Sequence, residues 1–516
     1  MTAPLWHALP QPAAFTPSGG TWRPSGVRVV ADDPRLGREA ERLRADLRAQ
    51  GMLEGSASLV RLRIDPALAA GAERGAEAYL VEVGDDVVVR GASPSGVFRG
   101  TRQLLHNLRA QGGVPRGRAH GSPAVAERGL HLDAGRKHFG AEGILALLHD
   151  AADIGINVLQ WHFSENEGFR LESAAFPEIV SSEHVTRAEA ARILAVAADL
   201  HVEIVPSLDM PGHLRQVLSA HPELRLPPGI DGYGPDAPPP AITGTDHALD
   251  IARPETWDFA RRLIDDMLPV FPDARRWNLG GDEFVDFARI DDHPGLAAAA
   301  RERFGPDATG FDLLTAFVNH IAAHLRSRGL EPRAWNDGML RGAVVSLDPS
   351  VVLTWWTNWN AGMRPLADAV AAGHGIVNVN DALFYYVLGE NAGYRYPTAA
   401  RIWEADWHPG LFPDLPAAVG EERRQELAAP YPPLLRGVSF AIWSDRPDAQ
   451  TVDEVTAGIR SPLRAMAERA WNGGTRLSLT EFIALDAAIG EARASSEEAA
   501  GGRGDQADTT RPSDRA

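Results

Sequence analysis

The stretch RRWNLGGDEF, residues 275–284, ends in two neighbouring carboxylates, Asp282 and Glu283. Neighbouring carboxylates resist simultaneous ionisation, so the pKa of one rises. A carboxyl group with a raised pKa serves as a general acid near neutral pH. Adjacent residues on a strand point in different directions. They do not easily flank a glycosidic bond as acid and nucleophile, groups that stand about 5–5.5 Å apart in retaining glycosidases. The pairing fits a scheme in which the substrate supplies the nucleophile. A 2-acetamido carbonyl attacks C1, one carboxylate steadies the acetamido N–H, and the next protonates the leaving oxygen. The letters GGDEF also spell the signature of the domains that make cyclic di-GMP. That motif sits on a hairpin turn with a strand after it, whereas VDFARIDDHPGLAAAARERFG here reads as loop and helix.

Other polar and aromatic residues recur where apolar strands end. Asp133, His162, Glu165, Asp209, His213, Asn336, Asp337 and Asp445 accompany Trp335, Trp355, Trp356, Tyr385, Tyr386 and Trp443. Carboxylates mixed with several tryptophans have the composition of a sugar site. Aromatic faces pack on the C–H face of a pyranose, and carboxylates and Arg bind its hydroxyls. The 17 histidines invite a metal reading. Metal-dependent hydrolase barrels usually show His-x-His at the end of the first strand, and this chain has His131-Leu132-Asp133. No metal and no cofactor is expected. A Walker sequence is absent, as is a GxGxxG in the context that phosphate binding needs.

The elements that would position these residues alternate strand and helix. Candidate strands are 128–134, 156–163, 202–209, 275–282, 332–337, 351–357, 375–381 and 437–443. Between them Ile144, Leu147, Ala151 and Ile154, then Phe259, Leu263, Met267 and Phe271, then Leu314, Phe317, Ile321 and Leu325 repeat at helical spacing. Eight strands alternating with helices predict a (β/α)8 TIM barrel, whose catalytic groups project from the C-terminal ends of the strands. Long connections at 214–250 and 382–434 would be loops on that face. An α+β domain over residues 1–122 is expected to precede the barrel. Its strands are GVRVVADD, SLVRLRID, AYLVEVG and DVVVRGA, and each of its two helices stops at Gly. RGRAHGSPAVAE reads as a linker, 123–478 as the catalytic barrel, and 479–516 as a C-terminal helix and disordered tail.

With 51 Lys and Arg against 69 Asp and Glu, the 516-residue chain carries a net charge of −18. That disfavours nucleic acid or an anionic membrane as a partner. With no cysteine, disulfides and thiolate chemistry are excluded. MTAPLWHALPQPAAF has neither a basic n-region nor an apolar run of signal-peptide length, so the chain as it stands is expected in the cytoplasm.

Taken together, the motifs resemble glycoside hydrolase family 20, the β-N-acetylhexosaminidases and lacto-N-biosidases, over about residues 75–475. RGLHLDAGRKHF resembles the opening barrel strand, whose Arg binds sugar O3 and O4, and implies that role for Arg128. WHFSENEGFRLES resembles the His-x-x-Asp-Asp segment and brings Glu165 to the site. PSLDMPGH resembles the Asp-x-Pro-Gly-His motif and implies a catalytic part for Asp209 and His213, the latter orienting Glu283. LGGDEF resembles the catalytic motif, with Asp282 as polariser and Glu283 as acid/base. Tyr385 falls where the family's tyrosine bonds the acetamido oxygen, and Trp335, Trp355 and Trp443 where aromatics wall the pocket. Four positions depart from the pattern: Glu165-Asn166 for Asp-Asp, Asn278 for His, Val387 for the Asp of Tyr-x-Asp, and Asp445 for the Glu of Trp-x-Glu. The resemblance implies a retaining exo-glycosidase acting on terminal β-linked GlcNAc or GalNAc in a glycan through an oxazoline. The alternatives are a lacto-N-biosidase, for which the shorter Asp445 leaves room, and a catalytically weak sugar-binding barrel.

Overall fold

The computed structural model describes residues 6–52, 58–69, 75–229, 245–359, 362–420 and 422–491. The expected disordered tail, and the middle of the 214–250 connection, lie outside these residues. Eight parallel strands close on themselves: Glu127–Asp133, Val158–Glu165, Glu203–Met210, Arg276–Gly280, Glu331–Trp335, Val352–Trp355, Ile376–Asn378 and Leu435–Trp443. Closure comes from the pairing of the eighth strand with the first and of the second with the third. This is the TIM barrel expected from the alternation. Each strand is buried nearly throughout, as parallel strands covered on both faces must be. Two short strands lie at the upper rim. Gly168–Phe169 returns antiparallel to the second strand, and Tyr385–Val387 runs parallel to the eighth.

Local signals set where the outer helices begin. Thr186 with Glu189, Thr309 with Asp312 and Thr451 with Glu454 form capping boxes at the starts of Arg187–Asp199, Gly310–Ser327 and Val452–Asn472. The last of these ends at Gly473, which adopts the left-handed conformation at φ 68°.

Among the described residues, a six-stranded sheet and two α-helices make up the N-terminal domain. Its strands, in spatial order, are Ala14–Trp22, Val114–Gly121, Tyr79–Val83, Val87–Gly91, Leu59–Ile64 and Arg28–Ala31. The stretch read as a linker is therefore in part a strand. Val114–Gly121 pairs antiparallel with Ala14–Trp22 on one side and with Tyr79–Val83 on the other. Its Gly, Arg and His content hides the strand because neighbours on both edges, not its own apolar residues, fix it. Among the described residues no helix is long and apolar enough to cross a membrane.

Candidate active site

The fourth barrel strand runs into Gly280 and Gly281, with φ of 83° and 91°. A Cβ on Gly280 would stand 2.7 Å from Asp209 Cα, so only glycine lets the two strand ends meet. Asn278 shapes the turn. Its Oδ1 accepts from the Gly280 N–H at 2.8 Å, and its Nδ2 donates to Thr354 Oγ1 at 3.3 Å. Glu283 is itself left-handed, at φ 39°, a conformation that costs about 1–3 kcal/mol and is found at functional sites. Asp282 is buried, while the Glu283 side chain keeps 34% of its surface exposed to the cleft. Asp337, at the end of the fifth strand, braces this turn. Its Oδ2 accepts from the Glu283 backbone N–H at 3.1 Å, and its Oδ1 accepts from Trp356 Nε1 at 3.2 Å.

A chain of charges crosses the mouth to the pair. Arg136 Nη1 meets Asp133 Oδ2 at 2.9 Å, and Arg136 Nη2 meets Glu165 Oε1 at 2.7 Å. His213 Nδ1 lies 2.8 Å from the same Glu165 oxygen. Its Nε2 lies 3.5 Å from Asp282 Oδ2 and 3.6 Å from Glu283 Oε2. Burial opposes charge on Glu165, but Arg136 and His213 outweigh it and hold the carboxyl well below its usual range. Burial likewise opposes charge on His213, and Glu165, then Asp282, raise it well above an ordinary histidine. Asp282 is pushed well up by burial and by Asp209 beside it. Burial also raises Glu283, with His213 pulling the other way. The site thus pairs an imidazolium with two carboxyls that hold their protons to higher pH than usual.

Aromatic rings enclose the space above. Trp335, Trp356, Tyr385 and Trp443 pack in one cluster with Val387, and Tyr394 leans on it from the rim. Trp356 and Tyr385 stack in parallel, centroids 5.7 Å apart. Trp443 stands 5.7 Å from Trp335 and 5.8 Å from Tyr385, with the Arg136 guanidinium 5.5 Å above its ring. Burial raises the Tyr385 hydroxyl well above its ordinary pKa, so it remains a donor. At the edge Asp445 Oδ2 accepts from Asn391 Nδ2 at 3.2 Å.

The family model for the "Glycosyl hydrolase family 20, catalytic domain" matches residues 126–474, and that for the same family's "domain 2" matches residues 7–120. The chain belongs to glycosyl hydrolase family 20. Curated relatives include a lacto-N-biosidase from Bifidobacterium bifidum, 27% identical over 474 residues, 90% of this chain but 40% of that one. A beta-N-acetylhexosaminidase from Cellulomonas fimi is 25% identical over 81% of this chain and 78% of its own. Solved structures share the fold. A Vibrio harveyi exo beta-N-acetylglucosaminidase superposes with a TM-score of 0.74 at 18% identity, covering 94% of this chain and 76% of that one. A Streptomyces plicatus beta-hexosaminidase gives 0.70 at 22%, covering 97% and 96%.

Within this family 20 site, Asp209, His213, Glu165, Asp282, Glu283, Trp335, Tyr385 and Trp443 come together, with Asp445 at the rim. Two expected residues do not. Arg128 begins the first strand, so at about 3.3 Å per residue it lies about 16 Å from that strand's catalytic end. Its Nε donates to the Gly155 carbonyl at 2.7 Å and its Nη1 to that of Val125 at 2.9 Å. Arg136, eight residues on in the same motif, is the arginine at the site. Trp355 also misses. Strand alternation sends Val352, Thr354 and Trp356 inward and Trp355 outward, where its Nε1 donates to Asn358 Oδ1 at 2.8 Å. Asp337 was visible in the sequence only as one polar residue among several, and nothing in its spacing marks it as the brace of Glu283.

The atoms of His162, Glu165 and Asp209, and those of Asp209, His213 and Asp282, lie within 4.8 Å of one another. In composition either set could ligate a metal. Arg136 at 2.7 Å from Glu165, however, places a cation where a metal's charge would be repelled.

Proposed function

We propose that the protein is a retaining exo-glycosidase that removes terminal β-linked N-acetylhexosamine, with the substrate's acetamido group as nucleophile. The observation that carries this is the Asp282–Glu283 turn. Two consecutive carboxyls, one buried and one open to the cleft, sit below an aromatic cage, and their adjacency on one turn is poor geometry for flanking a glycosidic bond as a conventional acid and nucleophile. In the first step the acetamido oxygen bonds to C1 as the C1–O bond breaks, and Glu283 passes its proton to the leaving oxygen. Asp282 releases to solvent, as the substrate binds, the proton that burial favours, and the carboxylate accepts a hydrogen bond from the acetamido N–H, whose growing positive charge favours the ionised form. Tyr385 donates to the acetamido oxygen and holds it near C1, so that much of the catalysis is positional. Glu283 then takes a proton from water, whose oxygen bonds to C1 and opens the oxazoline with net retention. Arg136, with Asp133 and Glu165 fixing its guanidinium, binds hydroxyls at the far side of the sugar.

Hydrolysis of p-nitrophenyl N-acetyl-β-glucosaminide, with the β-anomer as first product and strong inhibition by the thiazoline mimic, is the expected result. Trapping a sugar ester on Asp282 with a fluorinated substrate would refute the mechanism.

A second reading, release of a disaccharide, has one observation in its favour. Val387 faces the pocket beside Tyr385 where the family often carries an acid, and Asp445 is one methylene short. Both changes remove reach towards a terminal sugar's O4 and O6 and leave room for a substituent. Comparing the p-nitrophenyl glycosides of N-acetylglucosamine and lacto-N-biose decides between the two.

A further inference from the structure

We infer that Trp359 is the aglycone platform, the indole face on which the first sugar ring beyond the scissile bond packs. The chain has 13 tryptophans, and Trp359 stands apart with 55% of its surface exposed. A lone exposed apolar residue is ordinary, but this one rises from an anchored base. The Trp359 N–H donates to Thr357 Oγ1 at 3.3 Å, and the Thr357 carbonyl accepts from Asn336 Nδ2 at 2.8 Å. Asn358 is buried, its Oδ1 accepting from Trp355 Nε1 and Gln425 Nε2 at 2.8 and 2.9 Å and its Nδ2 donating to the Arg364 carbonyl at 2.9 Å. The two residues before Trp359 are therefore fixed, and docking a ring on it orders little backbone.

Its position assigns the side of the cleft. The Trp359 ring stands edge-on to Trp356, centroids 5.2 Å apart at 70°. Trp356 Nε1 donates to Asp337, which in turn holds the Glu283 backbone. Arg136 and Asp445 follow the first and eighth strands, across the mouth from Glu283 after the fourth. Glu283 protonates the leaving oxygen, so the ring carried by that oxygen emerges on the Trp359 side. The ligand class is a pyranose with an unbroken axial C–H face, such as a gluco- or galacto-configured residue, set against the π surface.

This inference rests on the glycosidase reading, and its test keeps the two apart. Wild type, Trp359→Ala and Trp359→Phe are assayed on β-lactosyl and β-methyl glycosides of N-acetylglucosamine and of lacto-N-biose, and thiazoline inhibition is measured in parallel. The alanine variant should raise KM for the accepted lactosyl glycoside about tenfold, the equivalent of about 1.4 kcal/mol, with phenylalanine recovering part. The methyl glycoside's kcat/KM and the thiazoline inhibition constant should not move. Equal losses on lactosyl and methyl glycosides, or no loss on either, would overturn the platform. A wild type that cleaves no lactosyl glycoside and ignores the thiazoline would remove the glycosidase reading and the subsite with it.

Discussion

Asp337→Asn tests how Glu283, the proposed general acid, is held. The native carboxylate has two oxygens and serves two buried donors, the Glu283 backbone N–H and Trp356 Nε1–H. Burial, then the nearby Glu283 charge, raises its pKa to about 7. An asparagine of the same shape offers one acceptor and turns an NH2 towards the other donor. One donor is left unsatisfied, at about 1–3 kcal/mol, or about 5- to 150-fold in a rate constant if the loss falls on the transition state. Because Glu283 is already strained at φ 39°, the turn that loses its brace relaxes and the acid moves. The signature is leaving-group dependence. On a series of aryl N-acetylglucosaminides, kcat/KM for the least acidic phenols should fall by that factor, while a dinitrophenyl glycoside, which needs little protonation, should lose much less. A uniform loss across the series, or none, would show that Asp337 does not position the acid.

Glu283→Gln should abolish most hydrolysis of substrates with poor leaving groups, a loss of about 10²–10⁴-fold, and spare the first step on dinitrophenyl glycosides; pre-steady-state kinetics separates the two. Because a general acid must be protonated, the alkaline limb of kcat/KM follows Glu283. His213 pulls that pKa down against burial, so His213→Asn should lower kcat and move the limb to higher pH, and a shift to lower pH would contradict the assigned charge. Arg333→Met should destabilise the barrel by about 3–5 kcal/mol in urea unfolding, because buried Glu127, bonded at 2.8 and 2.9 Å, loses its bidentate partner. EDTA should leave activity unchanged; a loss that added zinc or magnesium restores would reopen the metal reading of the His162–Asp209 cluster.

The barrel was legible because buried parallel strands are short apolar runs and the helices between them repeat at helical spacing, two periods that do not mimic each other. The Asp282–Glu283 pair was legible for a different reason: two glycines ahead of two acids at a strand end have few structural uses. What stayed hidden depends on direction. RGLHLDAGRKHF carries arginines at both ends of one strand, and only the sense of that strand, with catalysis at its C-terminal end, selects Arg136 over Arg128. Trp355 and Trp356 differ by one residue, hence by the whole thickness of the sheet, and their order alone does not tell which faces inward. The parity was nonetheless recoverable. Asn278 and Thr354 meet inside the barrel, and a polar Thr in an otherwise apolar run marks the inward face, which puts Trp356 on the same side two residues later. Asp337 was beyond such reasoning, because its role depends on two donors, 54 and 19 residues away in the chain, that meet only when the fourth, fifth and sixth strand ends come together.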